Sequence, residues 1–177
     1  MNDVPLIDYD PRNRTEFSDE CYAALGRALF VAQHFEVNCK SLVTLLDIGS
    51  KVIPHDDPEF TRVITELWNR SLGSNLGVMR LCGISADAYA VLTKAKEARN
   101  RIAHEVTLGI EGKIEQDLGR NEILNELATA VRDIAEGDKI VGLLIQSVTH
   151  EPCPSSSYLH DYADKVVKWV CGAPDSP

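Results

Sequence analysis

Long apolar stretches are missing from this chain of 177 residues. Its hydrophobic runs are broken by Gln, Asn, Lys or Asp within a few positions, whereas a membrane-spanning helix needs about 20 predominantly apolar residues. Met1 is followed by Asn2 and Asp3 where a secretory leader would carry basic residues, so no signal peptide is expected. Cys21, Cys39, Cys82, Cys153 and Cys171 are odd in number, widely spaced and without a C-x-x-C pair. That pattern argues against a disulfide framework or zinc ribbon and for reduced thiols in the cytoplasm. No G-x-x-x-x-G-K-[ST], G-x-G-x-x-G or G-x-S-x-G occurs, and His104-Glu105 lacks the second histidine of H-E-x-x-H. NTPase, dehydrogenase, serine-hydrolase and zincin readings therefore lapse. Strands have as little support, since neither a period-two stretch nor an Asn-Gly hairpin signal is present.

What is present is an ordinary globular composition, 44% hydrophobic and 25% charged, in a length suited to one domain. Residues 1–17, with Pro5 and Pro11, read as an N-terminal arm. From Ser18, apolar residues including Cys21, Leu25, Ala28, Ala32, Phe35, Cys39, Leu42 and Leu46 recur at helical steps, predicting one long amphipathic helix to Gly49. Asp57-Pro58 is a helix start, and the segment it opens is expected to close at Gly73. The glycine-rich residues 71–85 read as a loop around a short turn. Ser85 caps a helix running into the His104 region, and Leu124 to Val148 mark another, with a bend at Gly137. EPCPSSS breaks that helix, and Tyr158 to Val170 make a short last one before the tail at 173–177. The expected fold is all-α: a four-helix up-and-down bundle with an additional short C-terminal helix, in a single domain over residues 18–172.

The chain carries −9 overall, which disfavours coating nucleic acid non-specifically but leaves room for a local phosphate site. Lys94, Lys96, Glu97, Arg99 and Arg101 sum to +3, so the rest of the chain carries −12. This cationic segment contains ARNRIAHE at residues 98–105. On a helix, Asn100 and His104 are an i, i+4 pair, with Arg99 about 140° around from His104. Arg is a planar fork of donors for phosphate oxygens, His exchanges a proton near neutral pH, and Asn can orient an imidazole or a ligand. These are the parts for cleaving an RNA phosphodiester by attack of its own 2′-hydroxyl, without a metal or cofactor. Arg99, Asn100 and His104 are the candidate catalytic residues, with Lys94, Lys96 and Arg101 as candidate substrate-binding cations. The alternative is a solvated face on which Glu97–Arg101 and Arg101–Glu105 are surface ion pairs. His34 and Gln33 are accounted for as outer-face residues of the first helix, and the tyrosines as core-edge residues. His150, Cys153, His160 and Cys171 fit no common zinc spacing and read as part of a connector and its surroundings.

Arg99, Asn100, the spacer Arg101-Ile102-Ala103 and His104, inside a helix of an all-helical chain, resemble the signature of the HEPN superfamily. LGRALFVAQHFEVNCKSL, at residues 25–42, also looks like the opening helix of such domains. The resemblance spans roughly residues 18–150, its specific part being six residues. It implies a metal-independent endoribonuclease of a toxin or defence type, whose two motifs face one cleft in a homodimer. It also implies RNA as substrate and an antitoxin or regulatory protein as a further partner. Independently, in-line cleavage wants a proton acceptor and a proton donor, and a two-fold dimer supplies two motif histidines. In the branch silenced by a minimal nucleotidyltransferase antitoxin, a tyrosine follows the histidine by two positions, whereas this chain has Val106. Other members of the superfamily are silent binding domains, so a helical dimer that binds a protein or nucleotide partner stays open as the alternative.

Overall fold

The computed structural model describes residues 15–51, 57–104 and 119–172. Among them there are six helices and no strand: α1 (Glu16–Lys51), α2 (Pro58–Trp68), α3 (Leu72–Leu81), α4 (Ala86–His104), α5 (Arg120–Thr149) and α6 (Ser156–Cys171). No helix is long and apolar enough to cross a membrane among the described residues.

Local chemistry accounts for most of the helix starts. Thr15 and Ser18 cap α1 reciprocally: the Ser18 N–H donates to Thr15 Oγ1 at 3.1 Å and the Thr15 N–H to Ser18 Oγ at 2.9 Å. The helix therefore begins at Glu16, two residues before the expected start. Residues 1–14 of the expected arm and the 173–177 tail lie outside the described residues. Asp57 caps α2 by accepting from the Glu59 N–H at 2.8 Å, with Pro58 following it as expected. Ser85 Oγ caps α4 through the Ala88 N–H, and Ser155 Oγ caps α6 through the Tyr158 N–H.

Residues 71–85 depart from the expected loop. The second helix stops at Trp68, before Gly73, because Ser71 caps a new helix by accepting from the Ser74 N–H at 3.2 Å. Gly73 and Gly77 lie inside α3, and only Gly83, at φ +89°, adopts the left-handed conformation that ends such a segment. Each internal glycine costs about 1 kcal/mol relative to alanine. Burying Leu72, Leu76 and Met79 outweighs that, at about 1.5–3 kcal/mol per side chain.

Packing centres on α5, which lies against α1, α4 and α6, while α3 rests on α1 and α4, and α2 on α1. Phe35, Leu42, Leu92, Ile102, Leu127, Ile134 and Val141 are fully buried in one continuous core. The helix runs on through Gly137, where three helices crowd together. A Cβ at that position would lie 2.4 Å from Ala95 Cβ on α4 and 3.1 Å from Phe35 Cε2 on α1. Gly137 thus provides the space that lets α1 and α4 close on α5. Since Glu36 follows Phe35 and Arg99 lies one turn beyond Ala95, this crossing sets the registry of the Glu36 and Arg99 side chains.

Candidate functional site

Leu92, Ala95, Ala98 and Ile102 seat α4 in the core. At about 100° per residue, Arg99 then falls at the edge of the buried face, and Lys96, Asn100 and His104 step outward from it on one side. Arg99 is half-buried, whereas Asn100 and His104 are exposed. Asn100 and His104 therefore share one exposed face at the end of α4, with Arg99 to one side of it. Arg101 points about 160° away from Arg99. Lys94 lies on the opposite flank and pairs with Asp133 of α5 at 2.8 Å. Of the proposed substrate-binding cations, Lys96 lies about 40° around the helix from Asn100 and Arg101 about 60° from His104, whereas Lys94 is held by Asp133.

Arg99 is engaged by α1. Its Nη2 pairs with Glu36 Oε2, and its Nη1 donates to Asn100 Oδ1 at 3.2 Å. The other Glu36 oxygen takes Lys40 Nζ at 3.0 Å. The side chains of Arg99, Glu36 and Lys40 are 22%, 19% and 17% exposed, so the network is screened less than a surface pair would be. Burial by itself pushes the Glu36 carboxyl up. The Lys40 hydrogen bond and the Arg99 charge more than offset this and hold it below the ordinary glutamate value. Two cations and one anion leave the network that reaches Asn100 with one net positive charge.

Glu36 and Lys40 were not singled out from the sequence. Their signal was an E-x-x-x-K pair in the long first helix, indistinguishable from a routine surface pair until α1 and α4 are brought side by side. Among the described residues, no ion pair joins Glu97 to Arg101 and no hydrogen bond joins Asn100 to His104. Glu105 and Val106 lie outside the described residues. His150, Cys153, His160 and Cys171 do not gather either: no group of three or more His, Cys, Asp or Glu side chains is placed as metal ligands among the described residues.

A second polar cluster lies on the other flank of α1. The sequence reading treats His34 as an outer-face residue; in the structure it borders a cleft of about 390 Å³ between α1, α5 and α6. Asp138, buried on α5, accepts from Asn38 Nδ2 at 2.8 Å and from the Tyr162 hydroxyl at 2.6 Å. Burial first, then the hydrogen bond to Asp138 and its negative charge, raise the Tyr162 hydroxyl above the ordinary tyrosine value. Compared with known proteins, the chain matches no family model, no curated protein and no solved structure.

Proposed function

We propose that this chain is a metal-independent endoribonuclease of the HEPN type, a four-helix up-and-down bundle with an appended C-terminal helix that works as a cytoplasmic homodimer. The observation that carries this reading is at the end of α4: a guanidinium positioned by Glu36 and Asn100, on a helix whose next turn carries an exposed His104 on the same face as Asn100. In the proposed reaction the substrate's 2′-oxygen attacks the adjacent phosphorus and the bond to the 5′-oxygen breaks. One His104 takes the 2′-hydroxyl proton, and the partner protomer's copy of the same histidine gives a proton to the leaving 5′-oxygen. Arg99 stabilises charge on the phosphoryl oxygens, and Asn100 orients the imidazole or the phosphate. The products are a 2′,3′-cyclic phosphate and a 5′-hydroxyl. A toxin or defence role, with an antitoxin or regulatory protein as partner, belongs to the same proposal.

The Glu36–Arg99 pair also favours a second reading, a catalytically silent helical dimer that binds a protein or nucleotide partner, because Glu36 already occupies the Arg99 donors that a phosphate would use. Cleavage assays on total RNA in EDTA discriminate between the two. The nuclease reading expects cyclic-phosphate ends, and complete loss of cutting in folded His104→Ala and Arg99→Ala proteins. Cutting that survives in His104→Ala refutes that assignment, and no cutting by a folded wild-type dimer supports the silent reading. RNA association should weaken with salt only by the small slope of a few phosphate contacts.

A further inference from the structure

The cleft between α1, α5 and α6 is distinct from the motif on α4. His34 lines it and Asn38 bonds to its Asp138, whereas Glu36, two residues along α1 from each, is turned about 160° away. At about 390 Å³ it has the size of a small-ligand pocket. Phe30 and Trp169 form one wall in an edge-to-face pair with centroids 6.0 Å apart, and they stay 60% and 54% exposed. Such large aromatic surfaces are normally hidden unless something covers them.

At the base lies Asp138, 8% exposed. Its two oxygens receive one neutral donor each, Asn38 and Tyr162. A carboxylate has about four acceptor positions, so further donors can be taken. Among the described residues no Lys or Arg pairs with it. The nearest group able to carry positive charge is His34, whose Nδ1 is 3.7 Å from Oδ1. That nitrogen also lies 3.2 Å from Asn38 Nδ2, the group that donates to the carboxylate. Lys165, on the rim, turns to the Tyr158 ring instead, with Nζ 5.2 Å from the centroid. The wall therefore already accommodates an ammonium.

We propose that this cleft binds an organic ammonium ion, its N–H donors directed to Asp138 and its apolar body lying against Phe30, Trp169 and Tyr158. A buried carboxylate that holds only neutral donors gains most from a cation. Aromatic faces attract the same charge, and the acidic chain favours its approach. An anionic ligand would meet Asp138 as a like charge, and a neutral aromatic would leave its charge unanswered.

Titration of the full chain with phenethylammonium, followed by calorimetry and by the emission of Trp169, tests this. The other tryptophan, Trp68, lies on α2 away from the cleft lining. 3-Phenylpropionate, with a similar ring and the opposite charge, is the control. Phenethylammonium should bind, and the carboxylate should bind at least about tenfold more weakly. Asp138→Asn keeps the shape and one acceptor and should weaken the ammonium by about tenfold. If that variant does not fold, exposed Trp169→Ala should produce a comparable loss with helical content unchanged. Lys165→Gln, by removing the competing tethered cation, should tighten binding about threefold. The proposal is overturned if phenethylammonium does not bind, if 3-phenylpropionate binds as tightly, or if folded Asp138→Asn or Trp169→Ala keeps wild-type affinity.

Discussion

Replacing Gly137 with alanine probes the joint that aligns α1 with α4. The new methyl carbon would lie 2.4 Å from Ala95 Cβ and 3.1 Å from Phe35 Cε2. Carbon atoms in optimal contact are about 3.5–4.0 Å apart, so α4 and α5 must separate by about 1 Å. Overpacking costs about 1–3 kcal/mol, and the upper end applies because the obstructing Cβ is fixed to a helix backbone rather than at the end of a flexible side chain. Alanine's helix propensity returns about 1 kcal/mol. The expected net loss is about 2 kcal/mol, or about 4–8 °C in Tm for a chain of this size. Thermal and urea unfolding of Gly137→Ala, Ala95→Gly and the double variant measure it. The double variant should be more stable than the sum of the single losses allows, by about 1–2 kcal/mol, because Ala95→Gly removes the carbon that the new methyl meets. Gly137→Ala as stable as wild type, or additive with Ala95→Gly, would refute the close-crossing argument. Under the nuclease reading the same variant also lowers cleavage, since it shifts Arg99 away from Glu36.

Glu36→Gln should cost about 1–3 kcal/mol near neutral pH by leaving Arg99 and Lys40 without their shared carboxylate. The folded pKa of Glu36 is lowered, so its contribution is complete above the unfolded value of about 4.3 and vanishes as pH falls through the folded value. Urea midpoints of wild type and Glu36→Gln should therefore converge in acid, and a constant gap would contradict the network. Tyr162→Phe removes the 2.6 Å bond to Asp138 and should cost about 1–3 kcal/mol. Because the folded hydroxyl titrates above its ordinary value, the unfolded chain releases that proton first, and wild-type stability should fall as pH rises past about 10. That alkaline loss should shrink in Tyr162→Phe; an unchanged alkaline limb would remove Tyr162 from its cause.

Helical periodicity and end signals made much of the architecture legible. Asp57-Pro58 and Ser85 start α2 and α4 as read, because a capping bond spans only two or three residues. The long stripe from Cys21 to Leu42 likewise foretells the buried face of α1. By contrast, α3 was illegible: its glycines oppose a helix locally, and only the burial of Leu72, Leu76 and Met79 reverses that preference. Gly137 misleads in a similar way, since the expectation of a bend rests on backbone freedom while its use is to admit Ala95 and Phe35.

The same division runs through the candidate site. The sequence by itself determined that Asn100 and His104 share a helix face with Arg99 to one side, because helix geometry relates residues a few positions apart. Only the tertiary structure decided that Arg99 meets Glu36, 63 positions away, and that Asn38 meets Asp138, 100 positions away. Local backbone geometry can be read from neighbouring letters. Partners separated by this much chain are chosen by which side chains fill the space between packed helices.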